Sequence, residues 1–242
     1  MNTAANHDAL RQTVVERYSS PVDVECYRRR VAEGLREWER RVVGRDMRPS
    51  SVLCIGCGGG RESFALEALG YEVTGMDMVA AQVESARAAA RERHSTARFL
   101  VYDGKRLPFA DQSFGAVTMW SQVLGNVPGA SSRLALLCET RRVLSAGGVL
   151  SLSVHERAKT LALLESSGDR YRYPEEGEPG DLLIEAPSGG ECYWHYFHAD
   201  ELEGICRDAG YREVKINTSG DLGQEWDNLL VAVCSGTAEA QP

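Results

Sequence analysis

The chain has 242 residues, 43% of them hydrophobic, and a formal net charge of −8. This length suits one α/β domain, and the excess of acid disfavours nucleic acid as a partner, because such partners normally require a basic face. No stretch of about 18 apolar residues is present, so no membrane span is expected. Seven scattered cysteines fit a reduced protein, and the N-terminus lacks the layout of a secretory signal. We therefore expect a cytoplasmic protein.

The first 50 residues are predicted to be helical, because apolar side chains recur there at helical spacing until Pro21 interrupts them. This segment also carries the most basic part of the chain, namely Arg28, Arg29, Arg30, Arg36, Arg40 and Arg41. A run of arginines on a helix is most simply a solvated face. The sequence alone therefore places this segment outside the core.

A βαβ unit is predicted between Ser51 and Asp77. Its elements are a strand at 51–55, a helix at 61–69 and a strand at 71–76. Between the first strand and the helix, Gly56, Gly58 and Gly60 have no Cβ, so the backbone can approach a ligand closely there. The helix N-terminus suits a nucleotide, and a carboxylate at the tip of the second strand can accept both hydroxyls of a ribose. The unit predicts a nucleotide site.

The spacing of the glycines excludes two common nucleotide motifs. A dinucleotide fingerprint has glycine or alanine five residues after the first glycine, where helix and strand pack closely, and this chain has Arg61 there. A phosphate-binding P-loop ends in Gly-Lys-Ser/Thr, which is also missing. The G-x-G-x-G spacing therefore opens the turn and leaves room for something other than a pyrophosphate.

Strand and helix patterns continue to alternate after the βαβ unit. The later elements are helices at 79–93, 131–144 and 199–209 and strands at 97–101, 116–120, 149–154, 211–217 and 228–234. The polar, Gly/Pro-rich stretch at 166–180 is predicted to be a loop or flexible lid. Alternation of this regularity implies parallel strands joined by right-handed crossovers.

Three motifs in chain order resemble those of the class I S-adenosylmethionine-dependent methyltransferases. Residues 52–60, VLCIGCGGG, resemble their motif I, Met76-Asp77 resembles their ribose-binding acid, and Tyr102-Asp103-Gly104 resembles the acid that contacts the adenine amine. The runs LPFADQSF at 107–114 and RRVLSAGGVLSLSV at 141–154 are also similar to segments of this family. The resemblance covers residues 50–155 well and the N-terminal segment hardly at all.

The resemblance implies a Rossmann-like α/β fold with a mostly parallel seven-stranded sheet, helices on both faces and an antiparallel last strand. The implied boundaries are a helical lid at 1–48, a methyltransferase domain at 49–235 with an insert or lid at about 156–192, and a disordered tail at 236–242. In small-molecule members an N-terminal helix closes over the cofactor and contributes a Tyr or Arg. Tyr18, Tyr27 and Arg28 are the candidates here.

The implied cofactor is S-adenosylmethionine, with S-adenosylhomocysteine as product and no metal. The residues expected to contact it are Gly56, Cys57, Gly58, Gly60, Asp77, Met78, Asp103, Gly104, Trp120, Tyr18 and Tyr27. In this family the position of Cys54 is usually Asp or Glu and helps to place the methionine end of the cofactor, so Cys54 is a departure. Cys54 and Cys57 also form a C-x-x-C, but the glycine turn already explains that segment.

Methyl transfer from a sulfonium is an in-line displacement, so much of the catalysis can come from positioning. An amine acceptor needs only to arrive neutral, whereas a hydroxyl usually requires a general base, most often His or a carboxylate. The candidate bases are His155, His195 and His198, and the candidate substrate contacts are Gln122, Asn126, Tyr193 and Tyr196. Each histidine is alternatively a structural member of an aromatic cluster.

The run 193–198, YWHYFH, has two possible faces if it is extended. Tyr193, His195 and Phe197 would then share one face, and Trp194, Tyr196 and His198 the other. One face would pack on the core while the other lines a pocket, and the sequence does not distinguish them.

The sequence therefore favours a methyltransferase that acts on an oxygen or nitrogen of a small molecule, such as a secondary metabolite. One alternative is an RNA-modifying enzyme, because wobble-uridine carboxyl methyltransferases share this core and a late segment rich in His and Tyr. Another is a cofactor-binding module without catalysis, which Cys54 would allow. The arginines near the N-terminus favour RNA, and the net charge opposes it. Chain order gives no argument on oligomeric state.

Overall fold

The structure is a computed structural model that describes residues 3–48, 50–187, 189–223 and 228–236. Its helices are α1 (Thr3–Ser19), α2 (Pro21–Arg30), α3 (Glu37–Asp46), α4 (Arg61–Ala68), α5 (Ala80–Arg93), α6 (Ala130–Val143), α7 (Arg157–Ser167) and α8 (Ala199–Asp208). Its strands are β1 (Ser51–Ile55), β2 (Glu72–Asp77), β3 (Arg98–Val101), β4 (Phe114–Met119), β5 (Leu144–His155), β6 (Tyr171–Arg172), β7 (Asp181–Glu185), β8 (Glu191–His195), β9 (Glu213–Thr218) and β10 (Leu229–Ser235). The predicted disordered tail lies outside the described residues, except for Gly236.

Seven strands form the main sheet in the order β3-β2-β1-β4-β5-β10-β9. The first five strands pair in parallel, and β10 runs antiparallel to both β5 and β9. This confirms the predicted Rossmann-like fold with its antiparallel last strand. The strand order reverses between β1 and β4, and ligands of open α/β sheets bind outside the carboxyl ends of the strands at such a point.

The core consists of two apolar layers, one on each face of the sheet. Successive residues of β1 alternate between them, because strand side chains point to opposite faces: Val52 and Cys54 belong to one layer, and Leu53 and Ile55 to the other. Helices α3, α4 and α5 cover the first face, and α6 and α8 cover the second. The first residue after β1 therefore emerges between two packed layers.

Strand β5 begins five residues earlier than the sequence predicts. The glycine pair at 147–148 was expected to separate helix and strand, but β5 already starts at Leu144 and contains both glycines. Its pairing with β4 shifts register between Leu144 and Val149, and Gly147 has a φ of +73°. The glycines thus form an irregularity inside the strand.

The insert between β5 and α8 contains structure that the sequence analysis missed. Helix α7 and the antiparallel three-stranded sheet β6-β7-β8 occupy much of the region where a loop or lid was predicted. The helix shows little amphipathic pattern, because its buried residues are only Thr160 and Leu164. Glu156 begins it by accepting a hydrogen bond from the Lys159 amide at 2.8 Å.

The N-terminal helices are present as predicted and differ in where they pack. Gln82 Nε2 of α5 donates to the Tyr18 carbonyl at 3.0 Å, and the Tyr193 amide donates to Thr13 Oγ1 at 3.0 Å, so α1 lies between α5 and the insert. Helix α3 belongs to the core instead, with Trp38 only 1% exposed and edge-on to Trp120 at 5.5 Å. Of the helices described, none has both the length and the apolar character to cross a membrane.

Candidate active site

A cavity lies at the carboxyl ends of β1, β2 and β4, and its empty space, including the part open to solvent, amounts to about 650 Å³. Gly56 and Gly58 after β1, Asp77 at the end of β2 and Ser121 after β4 contribute to its walls. The remaining walls are formed by Val14, Tyr18, Tyr27, Met78, Val79, Gln82, Tyr102, Val123, Asn126 and Val127. The cavity therefore lies where the reversal of strand order predicts a ligand.

The turn after β1 is shaped by two glycines. Gly56 has a φ of +72°, and a Cβ there would lie 2.2 Å from Val123 Cγ2, so a side chain would collide with the far wall. Gly58 has a φ of +50°, and a Cβ there would come within 3.2 Å of the Tyr27 ring. Only glycine adopts this backbone region readily. The turn thus keeps its backbone open to the cavity while Tyr27 lies directly above it.

Asp77 connects this turn to the end of β2. Its Oδ2 accepts from the Gly58 amide and its Oδ1 from the Val79 amide, both at 2.9 Å. Burial raises the pKa of Asp77, and these backbone donors oppose the rise. The side chain nevertheless borders the cavity, where its remaining lone pairs can accept hydroxyl groups. This is the arrangement expected of a ribose-binding carboxylate.

Several other predicted cofactor residues meet at the same cavity. Met78, Tyr18 and Tyr27 line it, and the two tyrosine rings pack edge to face at 5.8 Å. Burial raises the pKa of both phenols, so they are neutral hydrogen-bond donors at neutral pH. Arg28, the third lid candidate, is exposed and pairs with Glu92 at 3.4 Å. Of the three candidates, the two tyrosines line the cavity and Arg28 does not.

Asp103 and Gly104 lie in the turn that follows β3. Asp103 is exposed and its Oδ1 accepts from the Lys105 amide at 2.9 Å, while Gly104 has a φ of +74°. A Cβ on Gly104 would lie 3.8 Å from Met78 Cε, so the turn sits beside the cavity without lining it. The predicted contact between Asp103 and the adenine amine stays a prediction.

Trp120 and Gly60 take up packing positions. Trp120 is 3% exposed, donates to Ser151 Oγ at 2.9 Å and packs against Trp38, which puts it in the core below the cavity. Gly60 has a φ of +95° at the start of α4, and a Cβ there would lie 2.6 Å from the Phe64 ring. The structure does not bring either residue to the cavity wall.

Both cysteines of the C-x-x-C are buried. Burial raises the pKa of Cys54 to about 11 and that of Cys57 well above its usual value. Both thiols are therefore protonated at neutral pH, and a thiol rather than a thiolate is a poor nucleophile and metal ligand. The pair serves as packing beneath the glycine turn, with Cys57 at the edge of a second cleft.

This second cleft adjoins the cavity and shares Tyr27, Gly56, Gly58 and Ser121 with it. Its other walls are charged or polar and comprise Arg30, Arg36, Cys57, Gly59, Arg61 and Glu62. The combined site thus has an apolar, tyrosine-covered part and a charged part, joined at the glycine turn.

His195 is fully buried and is bonded on both ring nitrogens. Nδ1 lies 2.6 Å from an Asp181 oxygen and Nε2 lies 2.8 Å from a Glu201 oxygen. Each ring nitrogen therefore lies within hydrogen-bonding distance of a carboxylate, one from β7 and one from α8. Burial acts to raise the pKa of Asp181, but hydrogen bonds from His195 and Tyr193 lower it overall. His195 therefore links the insert to α8.

The other two candidate bases also have partners away from the cavity. His155 Nδ1 lies 3.1 Å from Asn228 Nδ2, and burial lowers the pKa of His155 to about 4, so it is a neutral acceptor. His198 is exposed, and its Nδ1 lies 2.9 Å from Glu156. Among the described residues that line the cavity there is no histidine. The predicted role of these histidines as a base finds no support in this geometry.

One of the four candidate substrate residues reaches the cavity. Asn126 lines it and donates through Nδ2 to the Tyr193 carbonyl at 2.9 Å. Gln122 is buried, accepting from the His155 amide at 2.6 Å and donating to the His195 carbonyl at 3.2 Å. Tyr193 is also buried, with its hydroxyl on Asp181, and Tyr196 packs in the insert. These three support the wall and do not form it.

The two predicted faces of the run at 193–198 are present. His195 packs against Phe197 at 4.6 Å, and Trp194 stacks on Tyr196 at 6.3 Å. On the first face, Phe197 belongs to the apolar layer of the main sheet that α6 and α8 cover. The second packs within the insert, with Tyr196 against Leu182. None of the six residues at 193–198 is among those that line the cavity.

One group of described residues has ligand atoms close enough to hold a metal ion. These atoms, from Glu178, Asp181 and His195, lie within 4.8 Å of one another. Glu178 is already paired with the buried Arg133, and Asp181 with Tyr193 and His195. The group is fully engaged in hydrogen bonds outside the cavity, and the absence of a metal stays a prediction.

Sequence reasoning did not single out several residues at the site. Ser121, which touches both the cavity and the cleft, is one, and Glu62 and Arg36 of the cleft are others. Ser121 and Gln122 have φ values of +59° and +69°, rare for residues with a side chain, directly after a central strand. Ser121 could have been found from its position directly after β4, at the carboxyl end of a central strand. Glu62 could not, because an acid in the first turn of a helix is common without any ligand.

Comparison with known proteins finds methyltransferases. A family model described as a methyltransferase domain matches residues 53–152. A ubiquinone biosynthesis O-methyltransferase from Xanthomonas campestris pv. campestris is 31% identical over 180 residues, which cover 73% of this chain and 68% of the relative. A solved SAM-dependent methyltransferase from Methanosarcina mazei is 26% identical with a TM-score of 0.69, and the match covers 82% of this chain and 98% of that one.

The fold also matches a more distant structure. The 1,6-didemethyltoxoflavin-N1-methyltransferase from Burkholderia thailandensis, solved with 1,6-didemethyltoxoflavin and S-adenosylhomocysteine, has a TM-score of 0.66 at 18% identity, covering 98% of this chain and 92% of that one. At that identity the likeness concerns the fold alone.

The glycine turn, the carboxylate after β2 and the sheet order define a protein that binds an adenosine cofactor. The chain belongs to the class I S-adenosylmethionine-dependent methyltransferase superfamily. Its cofactor is S-adenosylmethionine, and the residues present fit it. The turn has no room for a side chain at Gly56, and Asp77 offers an acceptor at the cavity wall.

Proposed function

We propose that this protein transfers the methyl group of S-adenosylmethionine to an oxygen or nitrogen of a small molecule, such as a secondary metabolite, in the cytoplasm. The observation that carries the proposal is the cover over the cavity. Tyr18 of α1 and Tyr27 of α2 line it together with the glycine turn and Asp77, and the Tyr27 ring lies over Gly58. A covered cavity suits a small acceptor better than a polymer.

The cavity extends beyond the predicted cofactor contacts. Val14 of α1, together with Asn126 and Val127 after β4, adds to its walls. Ligand pockets are typically apolar with a few placed polar groups, and these residues offer two valines and one amide. We assign this part of the wall to the acceptor, with Asn126 as the orienting polar group.

Bound S-adenosylmethionine supplies an electrophilic methyl group on a sulfonium, which leaves S-adenosylhomocysteine after transfer. The chain's own contribution is to hold the acceptor atom in line with the methyl–sulfur bond and to exclude water. The buried rings of Tyr18 and Tyr27 help to exclude water. Because their phenols are neutral, they donate hydrogen bonds and do not take up the acceptor's proton. We therefore infer an acceptor that needs no base in the site, either a phenol that arrives ionised or an amine that arrives neutral and releases its proton to solvent after methylation.

The name of the Xanthomonas relative favours oxygen as the first acceptor to test. The arginines of α2 support a small molecule rather than RNA, because each is already paired with an acid. Arg28 pairs with Glu92, Arg29 with Glu25, and Arg30 with Glu33. These ion pairs reduce the attraction of α2 to a phosphate backbone.

The proposal is tested by incubating the protein with labelled S-adenosylmethionine and separate panels of phenols, amines and bulk tRNA. We expect label in at least one phenol or amine, and none with an Asp77→Ala variant. Label in tRNA alone would replace the proposal with RNA modification. Tight cofactor binding without transfer to any acceptor would favour a non-catalytic module.

A further inference from the structure

Strand β1 provides no carboxylate to the site. Cys54, 3% exposed, is a neutral thiol because burial raises its pKa to about 11. The amino-acid end of S-adenosylmethionine carries both an ammonium and a carboxylate, and charged groups need partners when they leave water. The charged cleft beside the glycine turn is the part of the described structure that offers such partners next to the cavity.

Glu62, the second residue of α4, lies in this cleft with 14% of its side chain exposed. Arg61 Nη2 donates to its Oε1 at 2.5 Å, and Ser121 Oγ to the same oxygen at 3.3 Å. Both of these side-chain donors use Oε1, and an ionised carboxylate has about four acceptor sites, so Glu62 can accept from a further donor. Ser121 also lines the main cavity, so Glu62 stands where the cleft and the cavity join.

Arg61 does not fully balance the negative charge of Glu62, because Arg61 also pairs with Glu39. The same guanidinium donates to both carboxylate oxygens of Glu39, at 2.7 and 2.6 Å. Burial raises the pKa of Glu62, and Arg61 and Arg36 oppose the rise while Glu39 adds to it. A carboxylate in such surroundings gains from a further cation.

The cleft presents charge of both signs. Arg30 and Arg36 line it together with Glu62, so it complements a zwitterion rather than a simple anion or cation. We propose that Glu62 binds the ammonium group of the cofactor's methionine moiety, with the carboxylate of that moiety towards the arginines. The inference rests on S-adenosylmethionine binding in the adjoining cavity, with its ribose at Asp77.

The test uses calorimetry with two probes, S-adenosylhomocysteine and 5′-methylthioadenosine, which lacks the amino-acid end. Glu62→Gln should weaken the affinity for S-adenosylhomocysteine by at least about tenfold, or about 1.4 kcal/mol. It should change the affinity for 5′-methylthioadenosine by no more than about twofold. Glu67→Gln is the matched control, because Glu67 lies on the same helix but binds Ser95 and Thr96. Unchanged affinity for S-adenosylhomocysteine, or equal losses for both probes, would overturn the assignment.

A second measurement needs no variant. Wild-type protein should bind N-acetyl-S-adenosylhomocysteine, whose amine is neutral, at least about tenfold more weakly than S-adenosylhomocysteine. Equal affinities would refute the role of Glu62 even if Glu62→Gln fails to fold. If wild-type protein binds neither S-adenosylhomocysteine nor 5′-methylthioadenosine, the failure lies with the cofactor site as a whole.

A third measurement moves the carboxylate from position 62 to position 54. Cys54→Asp in the Glu62→Gln background places a carboxylate on β1 and should restore part of the lost affinity for S-adenosylhomocysteine. The gain should be absent for 5′-methylthioadenosine. A gain for both probes would indicate a general effect on the turn and count against the proposal.

Discussion

Arg61 and Glu39 form a buried, two-point ion pair that ties α3 to the helix after the glycine turn. Both terminal nitrogens of Arg61 donate to Glu39, which is completely buried, and Arg61 Nη1 also donates to the Gly34 carbonyl at 2.7 Å. Arg61, whose presence excludes a dinucleotide fingerprint, therefore has a structural role. It fixes the start of α4 relative to the N-terminal segment.

Removing one partner of this pair should be costly. Glu39→Ala leaves the guanidinium of Arg61 buried without its main acceptor, and we expect a loss of about 3 to 5 kcal/mol in the free energy of unfolding. Urea denaturation measures it. Glu37→Ala on the same helix, which removes only exposed pairs with Arg40 and Arg41, should change little. Similar effects from both variants would show that the buried pair is not special.

The glycine turn can be tested with two glycines of similar backbone conformation. Gly56 and Gly70 have φ values of +72° and +91°, but a Cβ would strike Val123 at Gly56 and meet nothing within 4 Å at Gly70. Each alanine substitution should cost about 1 to 2 kcal/mol of stability from backbone strain. Only Gly56→Ala should also abolish cofactor binding in calorimetry. Normal binding by Gly56→Ala would contradict the assignment of the turn.

His155 should make stability depend on pH in a predictable direction. Its pKa falls from about 6.5 in the unfolded chain to about 4 in the folded protein because it is buried. Between these values the unfolded chain binds the extra proton, so stability falls as pH drops below about 6.5 and the loss levels off below about 4.

We expect the contribution of His155 to amount to about 2 kcal/mol between pH 7 and pH 5. His155→Gln should remove that part of the pH dependence of the free energy of unfolding, measured by urea titrations at both pH values. His198→Gln, at an exposed histidine, is the control and should retain it. Identical pH profiles for wild type and His155→Gln would show that His155 titrates normally.

His195 should behave as a structural residue. His195→Gln removes the ring that bridges Asp181 and Glu201, so the folded protein should lose stability while its affinity for S-adenosylhomocysteine stays within about twofold. Thermal unfolding and calorimetry measure the two effects. Loss of turnover at full stability and full cofactor affinity would restore His195 as the candidate base.

The sequence was most informative where a signal is local. The strand at Ser51–Ile55, the glycine turn and the acid at Asp77 follow from a short apolar run, residues without Cβ and a strand end, and each is found as predicted. The parallel order of the strands followed from regular alternation, because crossover connections have a fixed hand.

Residues whose role depends on distant partners could not be placed in this way. His195 meets Asp181 and Glu201, 14 and 6 positions away, only once β7, β8 and α8 have come together. Trp120 is drawn into the core by Trp38 of a helix that the sequence left outside it. Helix α7 was missed because it buries few apolar side chains, so its pattern carries little periodic signal.

The most direct test of the account is a calorimetric titration of S-adenosylhomocysteine into wild-type protein and into Asp77→Ala, with Asp111→Ala as an exposed-acid control. We expect one site with a dissociation constant on the order of 1 to 100 μM for wild type and control. Asp77→Ala should bind about 100-fold more weakly, or about 3 kcal/mol, because two hydroxyl groups lose a charged acceptor. Undiminished binding by a folded Asp77→Ala variant, or no binding by folded wild-type protein, would contradict the proposed site.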